Sequence, residues 1–178
     1  MRPRASFNTT GKSGTVADKG QSPWQSRVMT QRPELGSTII AHGVRTNYLH
    51  EGSGQPVILV HGSGPGVSAY SNWRLTIPAL RSQFEVFAPD ILGFGFTERP
   101  TNAVYTMEVW VQHLIGFLDA LGIEKAHLVG NSFGGGLALR TAATHPDRVA
   151  DLVLMGSVGA PFEITQGLDA VWGYEPSV

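Results

Sequence analysis

The 178 residues contain no cysteine. That absence excludes a disulfide framework, a thiolate nucleophile and any cysteine-based metal site. It fits a reducing cytoplasm, the compartment expected for this chain. No apolar run approaches the roughly 18 residues that a membrane-spanning helix needs, so no membrane partner is expected. Charge is sparse as well. Asp, Glu, Lys and Arg make up 15% of the chain, and the formal net charge is −1 at pH 7. The near-neutral total conceals an asymmetry. Six of the thirteen basic groups (Arg2, Arg4, Lys12, Lys19, Arg27, Arg32) fall in residues 1–33 beside a single acid, Asp18. The remainder holds seven basic and thirteen acidic groups, a balance that argues against a nucleic-acid partner. At 42% apolar, the composition is that of a soluble globular protein, with length for one modest domain.

Glycine is what the chain has in quantity, 22 residues, most of them in the motifs below. Residues 1–36 have no apolar periodicity and are rich in Ser, Thr, Gly, Gln and Arg, which reads as a disordered leader. An Arg/Ser-rich, acid-poor leader also fits an organellar transit peptide, although no amphipathic helix is evident. Alternatively, Met29 is the natural start.

From Ser37 the pattern becomes regular. Thr38–Ala41 and Thr46–His50 read as short strands joined at His42-Gly43. Val57–Val60 is a continuous apolar run, as expected of a parallel strand buried on both faces. Ser71–Arg81 reads as a helix with Trp73, Ile77 and Leu80 on one side. Phe84–Ala88 is a strand. Met107–Leu121 is a helix with apolar residues at three- and four-residue spacings, ended by Gly122. Ala126–Val129 is a buried strand, Phe133–Thr144 a helix that stops before Pro146, and Val149–Met155 a further strand. This alternation implies an α/β fold, a parallel sheet with helices on its faces.

Between a strand and a helix lies Gly130-Asn131-Ser132-Phe133-Gly134, a G-x-S-x-G pentapeptide. A serine on such a turn is strained, with its hydroxyl exposed. Glycines at 130 and 134 let the helix lie against the strand. The Phe133 amide opens the helix, where unpaired N–H groups and the helix dipole favour a developing oxyanion. Ser132 is therefore the candidate nucleophile. The alternative is a glycine-rich helix start that binds phosphate or only packs; no Lys follows the last glycine, so it is not a Walker loop. A second motif, His61-Gly62-Ser63-Gly64-Pro65-Gly66, follows the buried strand Val57–Val60. In α/β-hydrolases this loop supplies the second oxyanion-hole N–H. Ser63 is assigned that role, with Gly62 next. His61 is read as positioning the loop rather than as a base, because the triad of this fold runs Ser, acid, His. Asp90 precedes the nucleophile and so is read as holding the loop Pro89–Gly95. Glu98 and Arg99 are read as solvated or a local ion pair.

Four stretches carry a closer resemblance: HGSGPGVSAYSNWR (His61–Arg74), PDILGFGFTERP (Pro89–Pro100), VGNSFGGGLAL (Val129–Leu139) and GLDAVWGYEP (Gly167–Pro176). They resemble the meta-cleavage product hydrolases, and within them the 2-hydroxymuconate-semialdehyde hydrolases. The resemblance implies an α/β-hydrolase fold acting without a cofactor on a small dienol/ketoacid substrate. The reaction it implies is hydrolysis of a carbon–carbon bond in a 2-hydroxy-6-oxo-hexadienoate. Asn72 and Asn131 match positions that contact the substrate's polar end. Read from the residues alone, Asn131 simply tolerates the turn and Asn72 caps the following helix. The full-length parent is expected to be a homo-oligomer. The remaining readings are a carboxylesterase or other serine α/β-hydrolase, and an inactive truncated product.

One departure from the family stands out. After Ser132 the acids are Asp147, Asp151, Glu163, Asp169 and Glu175, and the single histidine is His145. His145 ends the helix that follows Ser132, about three turns away, and cannot return to that hydroxyl. The expectation is thus an N-terminal fragment: a leader over 1–36, the N-terminal part of the core over 37–160 through the nucleophile turn, and the start of a lid over 161–178.

Overall fold

A computed structural model describes residues 32–159 and Gln166, all within the unit Arg32–Val178. The expected lid segment, the GLDAVWGYEP stretch and residues 1–31 of the expected leader lie outside the described residues, Gln166 aside.

Among the described residues, six strands form one sheet. β1 (Ser37–Ala41) and β2 (Val44–Gly52) make an antiparallel hairpin that turns at His42 and Gly43, both at positive φ. β2 also runs antiparallel to β4 (Phe84–Pro89). Then β4, β3 (Gln55–Val60), β5 (Ala126–Asn131) and β6 (Val149–Met155) run parallel, giving the order β1-β2-β4-β3-β5-β6. Among the described residues, four complete α-helices accompany them: α1 (Ala69–Trp73), α2 (Ile77–Leu80), α3 (Met107–Leu121) and α4 (Phe133–Thr144).

The apolar run of β3 is buried on both faces because side chains alternate and each face has a cover. Ile58 and Val60 join Phe87 and Leu128 beneath α3 and α4, against Leu114, Phe117, Leu118 and Leu137. Val57 and Leu59 join Val86 and Ala88 beneath α1 and α2, against Trp73 and Ile77. Each such side chain contributes about 1.5–3 kcal/mol by leaving water. Edge strand β6, beside β5, is different. Its Val153, Leu154 and Met155 stay 51%, 42% and 47% exposed.

Two expectations need correcting. The single helix over Ser71–Arg81 is two short helices. Pro78 sits in the first turn of α2. In a continuous helix its ring would strike the carbonyl four residues back, at Arg74. The leader was expected to run to residue 36, yet residues 32–36 are tied to the domain. The Gly36 amide donates to Asn47 Oδ1 at 3.0 Å, Asn47 Nδ2 donates to the Glu34 carbonyl at 3.0 Å, and Leu35 N–H closes a turn on Arg32. A buried asparagine thus satisfies a backbone that carries little apolar signal of its own.

Candidate active site

Ser132 joins β5 to α4 with φ 52° and ψ −117°. Among the described residues, the one other non-glycine residue at positive φ is His42. A side chain in such a conformation costs about 1–3 kcal/mol, and it persists where surrounding bonds over-determine it. Here four do. Ser132 N–H donates to the Met155 carbonyl at 2.9 Å, and the Ser132 carbonyl accepts from the amides of Gly135 (3.0 Å), Gly136 (3.2 Å) and Val158 (3.3 Å). Although Ser132 occupies the N-cap position, its hydroxyl makes no capping bond. Among the described residues the oxygen has no hydrogen-bond partner.

Close packing explains the flanking glycines. A Cβ on Gly134 would collide with the carbonyl oxygens of Val60 and His61, and one on Gly130 with the backbone of Gly134 and Gly135. The first turn of α4 therefore rests directly on the carboxyl end of β3. That brings the loop after β3 to Ser132: a Cβ placed on Gly62 would lie 3.4 Å from Ser132 Cβ.

Two asparagine side chains fix the loop. Gly62 N–H donates to Asn72 Oδ1 at 2.9 Å, and Asn131 Nδ2 donates to the same oxygen at 3.1 Å. Asn72 is not a helix cap; Ser68 caps α1 in a reciprocal arrangement with Ser71. The Gly62 amide, expected to stand next to Ser63 as an oxyanion donor, is already engaged by Asn72. The amides of Ser63 and Phe133 donate to no protein acceptor among the described residues. The Phe133 ring packs edge-on to Trp110 at 4.7 Å and near Phe94 at 6.2 Å. Trp110 is itself fixed by donating Nε1–H to the Leu92 carbonyl at 2.9 Å.

Asp90, fully buried, is the hub behind this loop. Its carboxylate accepts from the amides of Ala69 (2.6 Å) and Phe96 (2.7 Å) and from Asn47 Nδ2 (2.9 Å). It joins the start of α1, the segment after β4, and β2. Glu98 and Arg99 do not pair with each other. Glu98 Oε2 accepts from the Arg45 amide at 3.3 Å, and Arg99 donates to the carbonyls of Gly93 and Gly95.

The α/β hydrolase fold model matches residues 55–176. The chain belongs to that family. Within this α/β hydrolase family it is 61% identical over 145 residues to the 2-hydroxymuconate semialdehyde hydrolase of Pseudomonas sp. (strain CF600), covering 82% of this chain and 51% of that protein. It is 57% identical to the 2-hydroxy-6-oxo-2,4-heptadienoate hydrolase of Pseudomonas putida, with 82% and 52% covered. Among solved structures, an alanine-for-serine mutant of the meta-cleavage product hydrolase from Pseudomonas fluorescens IP01 matches with TM-score 0.74 and 62% identity, covering 82% of this chain and 53% of that one. The chain spans about half the length of the relatives it matches.

An α/β hydrolase serine works with a histidine and an acid that follow it in sequence. Among the described residues no such pair stands at Ser132. His145 ends α4, beside Thr144 Oγ1. His127 and Asp151 do pair, at 2.8 Å, with His127 Nε2 3.2 Å from Gln55 Oε1. That pair, invisible to spacing rules, sits at the opposite end of the sheet, five residues before Ser132 along β5 or roughly 16 Å away. Burial holds His61 below its ordinary pKa, against the opposing pull of its bond to Gly62 and of Asp90. Glu163, Asp169 and Glu175 lie outside the described residues.

Proposed function

We propose that this chain carries the nucleophile and oxyanion-binding half of a serine hydrolase that cleaves carbon–carbon bonds. Its substrates are 2-hydroxy-6-oxo-hexadienoate ring-fission products of aromatic compounds, the 2-hydroxymuconate semialdehyde class. The observation that carries the reading is the Ser132 hydroxyl, without a partner among the described residues and held at φ 52° beside the Gly62–Ser63 loop. It stands in a chain 61% identical to a hydrolase of that name.

In this reading the dienol first ketonises, which places an electron sink next to the bond to be broken. Ser132 Oγ adds to the C6 carbonyl and gives up its proton to a histidine base that comes later in the sequence. The charge that develops on the carbonyl oxygen meets the amides of Ser63 and Phe133. Collapse breaks the C5–C6 bond. Its electron pair passes into the ketone sink, and C6 remains on serine as an ester. Water hydrolyses that ester and restores the hydroxyl. No cofactor takes part. Asn72 and Asn131 meet the substrate's polar end, residues 161–178 begin a lid, and the protein acts in the cytoplasm as a homo-oligomer.

The test is turnover by the native protein, followed as loss of the yellow dienol absorbance. Ser132→Ala should lower kcat by roughly 10³-fold or more. A variant within tenfold of the unsubstituted rate would sink the reading. p-Nitrophenyl acetate measured in parallel separates the carboxylesterase alternative, which requires the ester to be the better substrate.

A further inference from the structure

His61 is fully buried beside the site, and both its ring nitrogens are engaged. Nδ1 lies 2.6 Å from the Gly62 carbonyl oxygen, and Nε2 lies 2.9 Å from the Ile91 amide nitrogen. A backbone N–H can only donate, so Nε2 is the bare nitrogen. Nδ1 then carries the proton and donates it to the Gly62 carbonyl. The neighbours fix the tautomer.

The accepting carbonyl is the informative part. Gly62 C=O and Ser63 N–H belong to one planar trans peptide and point in opposite directions. A bond that holds the carbonyl holds the amide proton too. A donor on the carbonyl also polarises the peptide and makes its N–H a stronger donor in turn. The preceding peptide is pinned separately, through Gly62 N–H and Asn72 Oδ1 at 2.9 Å. Gly62 is thus clamped on both sides, and Ser63 carries the first unspent N–H of the loop.

We propose that His61 is a positioning residue for the reaction: its Nδ1–H, with Nε2 tied to the Ile91 amide, aims and polarises the Ser63 amide toward the charge formed at Ser132. The proposal rests on the reading of Ser132, Ser63 and Phe133 as the reacting centre. A merely structural His61 would instead act as a strut between the segments after β3 and β4.

Two substitutions separate the roles. His61→Asn keeps a donor near the place of Nδ1 and loses the acceptor for Ile91. His61→Gln keeps an acceptor near the place of Nε2 and loses the donor to Gly62. In amide NMR spectra of the chain, the Ser63 resonance should stay near its original position in His61→Asn and move in His61→Gln, with Ile91 showing the reverse. In the native protein, His61→Gln should lower kcat about 10- to 100-fold with KM within twofold, and His61→Asn should recover most of the loss. Equal losses in both variants, or an unmoved Ser63 amide in His61→Gln, would overturn the proposal. Should either variant fail to fold, the tautomer can be read on the unsubstituted chain by long-range nitrogen–proton correlation; a proton on Nε2 rather than Nδ1 overturns it. Ser132→Ala serves as the control. Full turnover there defeats the site reading itself, whereas a dead Ser132→Ala with an unmoved Ser63 amide defeats only the role of His61.

Discussion

Acid should loosen the hold of the β1–β2 hairpin on α3, through one side chain. His113 on α3 is 3% exposed, and its Nε2 lies 2.7 Å from Thr46 Oγ1 of β2. Burial, helped by the nearby His42, pushes its pKa down to about 4. The unfolded chain has no such burial and takes up the proton near pH 6.5. The folded pKa is thus the lower one, and the sign follows. Stability is complete above about pH 6.5, falls as pH drops toward 4 while only the unfolded chain binds the proton, and levels off below. The slope is about 1.4 kcal/mol per pH unit, so the total is about 3 kcal/mol. Against a typical domain stability of about 5–15 kcal/mol, that is a large share. Urea midpoints at pH 7.5 and 4.5 measure it, with His113→Gln as reference. Glutamine still reaches Thr46 but does not titrate, and every other group cancels in the comparison, including buried His61, whose pKa is lowered too. The unsubstituted chain should lose about 2.5 kcal/mol more than His113→Gln between those pH values. Equal losses would refute the argument.

Three more outcomes follow from the site. Ser132→Gly relieves the strain at φ 52° and should raise stability by about 1 kcal/mol in a melting experiment while abolishing turnover; a lower melting temperature would show that the turn is not strained. Gly134→Ala drives a methyl into the carbonyls of Val60 and His61 and should cost about 3 kcal/mol or more by urea titration. Asp90→Ala strips the acceptor from the amides of Ala69 and Phe96 and from Asn47 Nδ2 and should cost about 3–5 kcal/mol, read the same way.

Local punctuation made much of the fold legible. The bounds of α3 and α4 match expectation because Gly122 takes a left-handed φ of 70° and Pro146 opens a separate turn. Where a helix breaker lay inside a periodic stretch, at Pro78, apolar spacing hid the break. The strained serine was readable because G-x-S-x-G states a steric requirement. Its supports were not. Asn72 bonds to residues 10 and 59 positions away in sequence, and read from the residues alone it was a cap on the helix expected at Ser71–Arg81. His113 meets Thr46 across 67 positions. Such pairs leave no periodic trace; they exist because the sheet order brings distant segments side by side.

The supports also show where the turn at Ser132 is vulnerable. Two of the four backbone bonds that hold Ser132 come from the first turn of α4, and two from Met155 and Val158, at and just beyond the end of β6. The loop after β3, by contrast, is anchored inward, on Asn72, on His61 and on the buried carboxylate of Asp90. The site is therefore unevenly braced. Its loop side is built on the interior strands β3 and β4, and half of the clamp on its strained serine depends on β6, whose Val153, Leu154 and Met155 are exposed. Strain survives only where it is over-determined, so a change that displaces Met155 or Val158 would also release the conformation of Ser132. The end of β6 and the serine are coupled through the Met155 carbonyl.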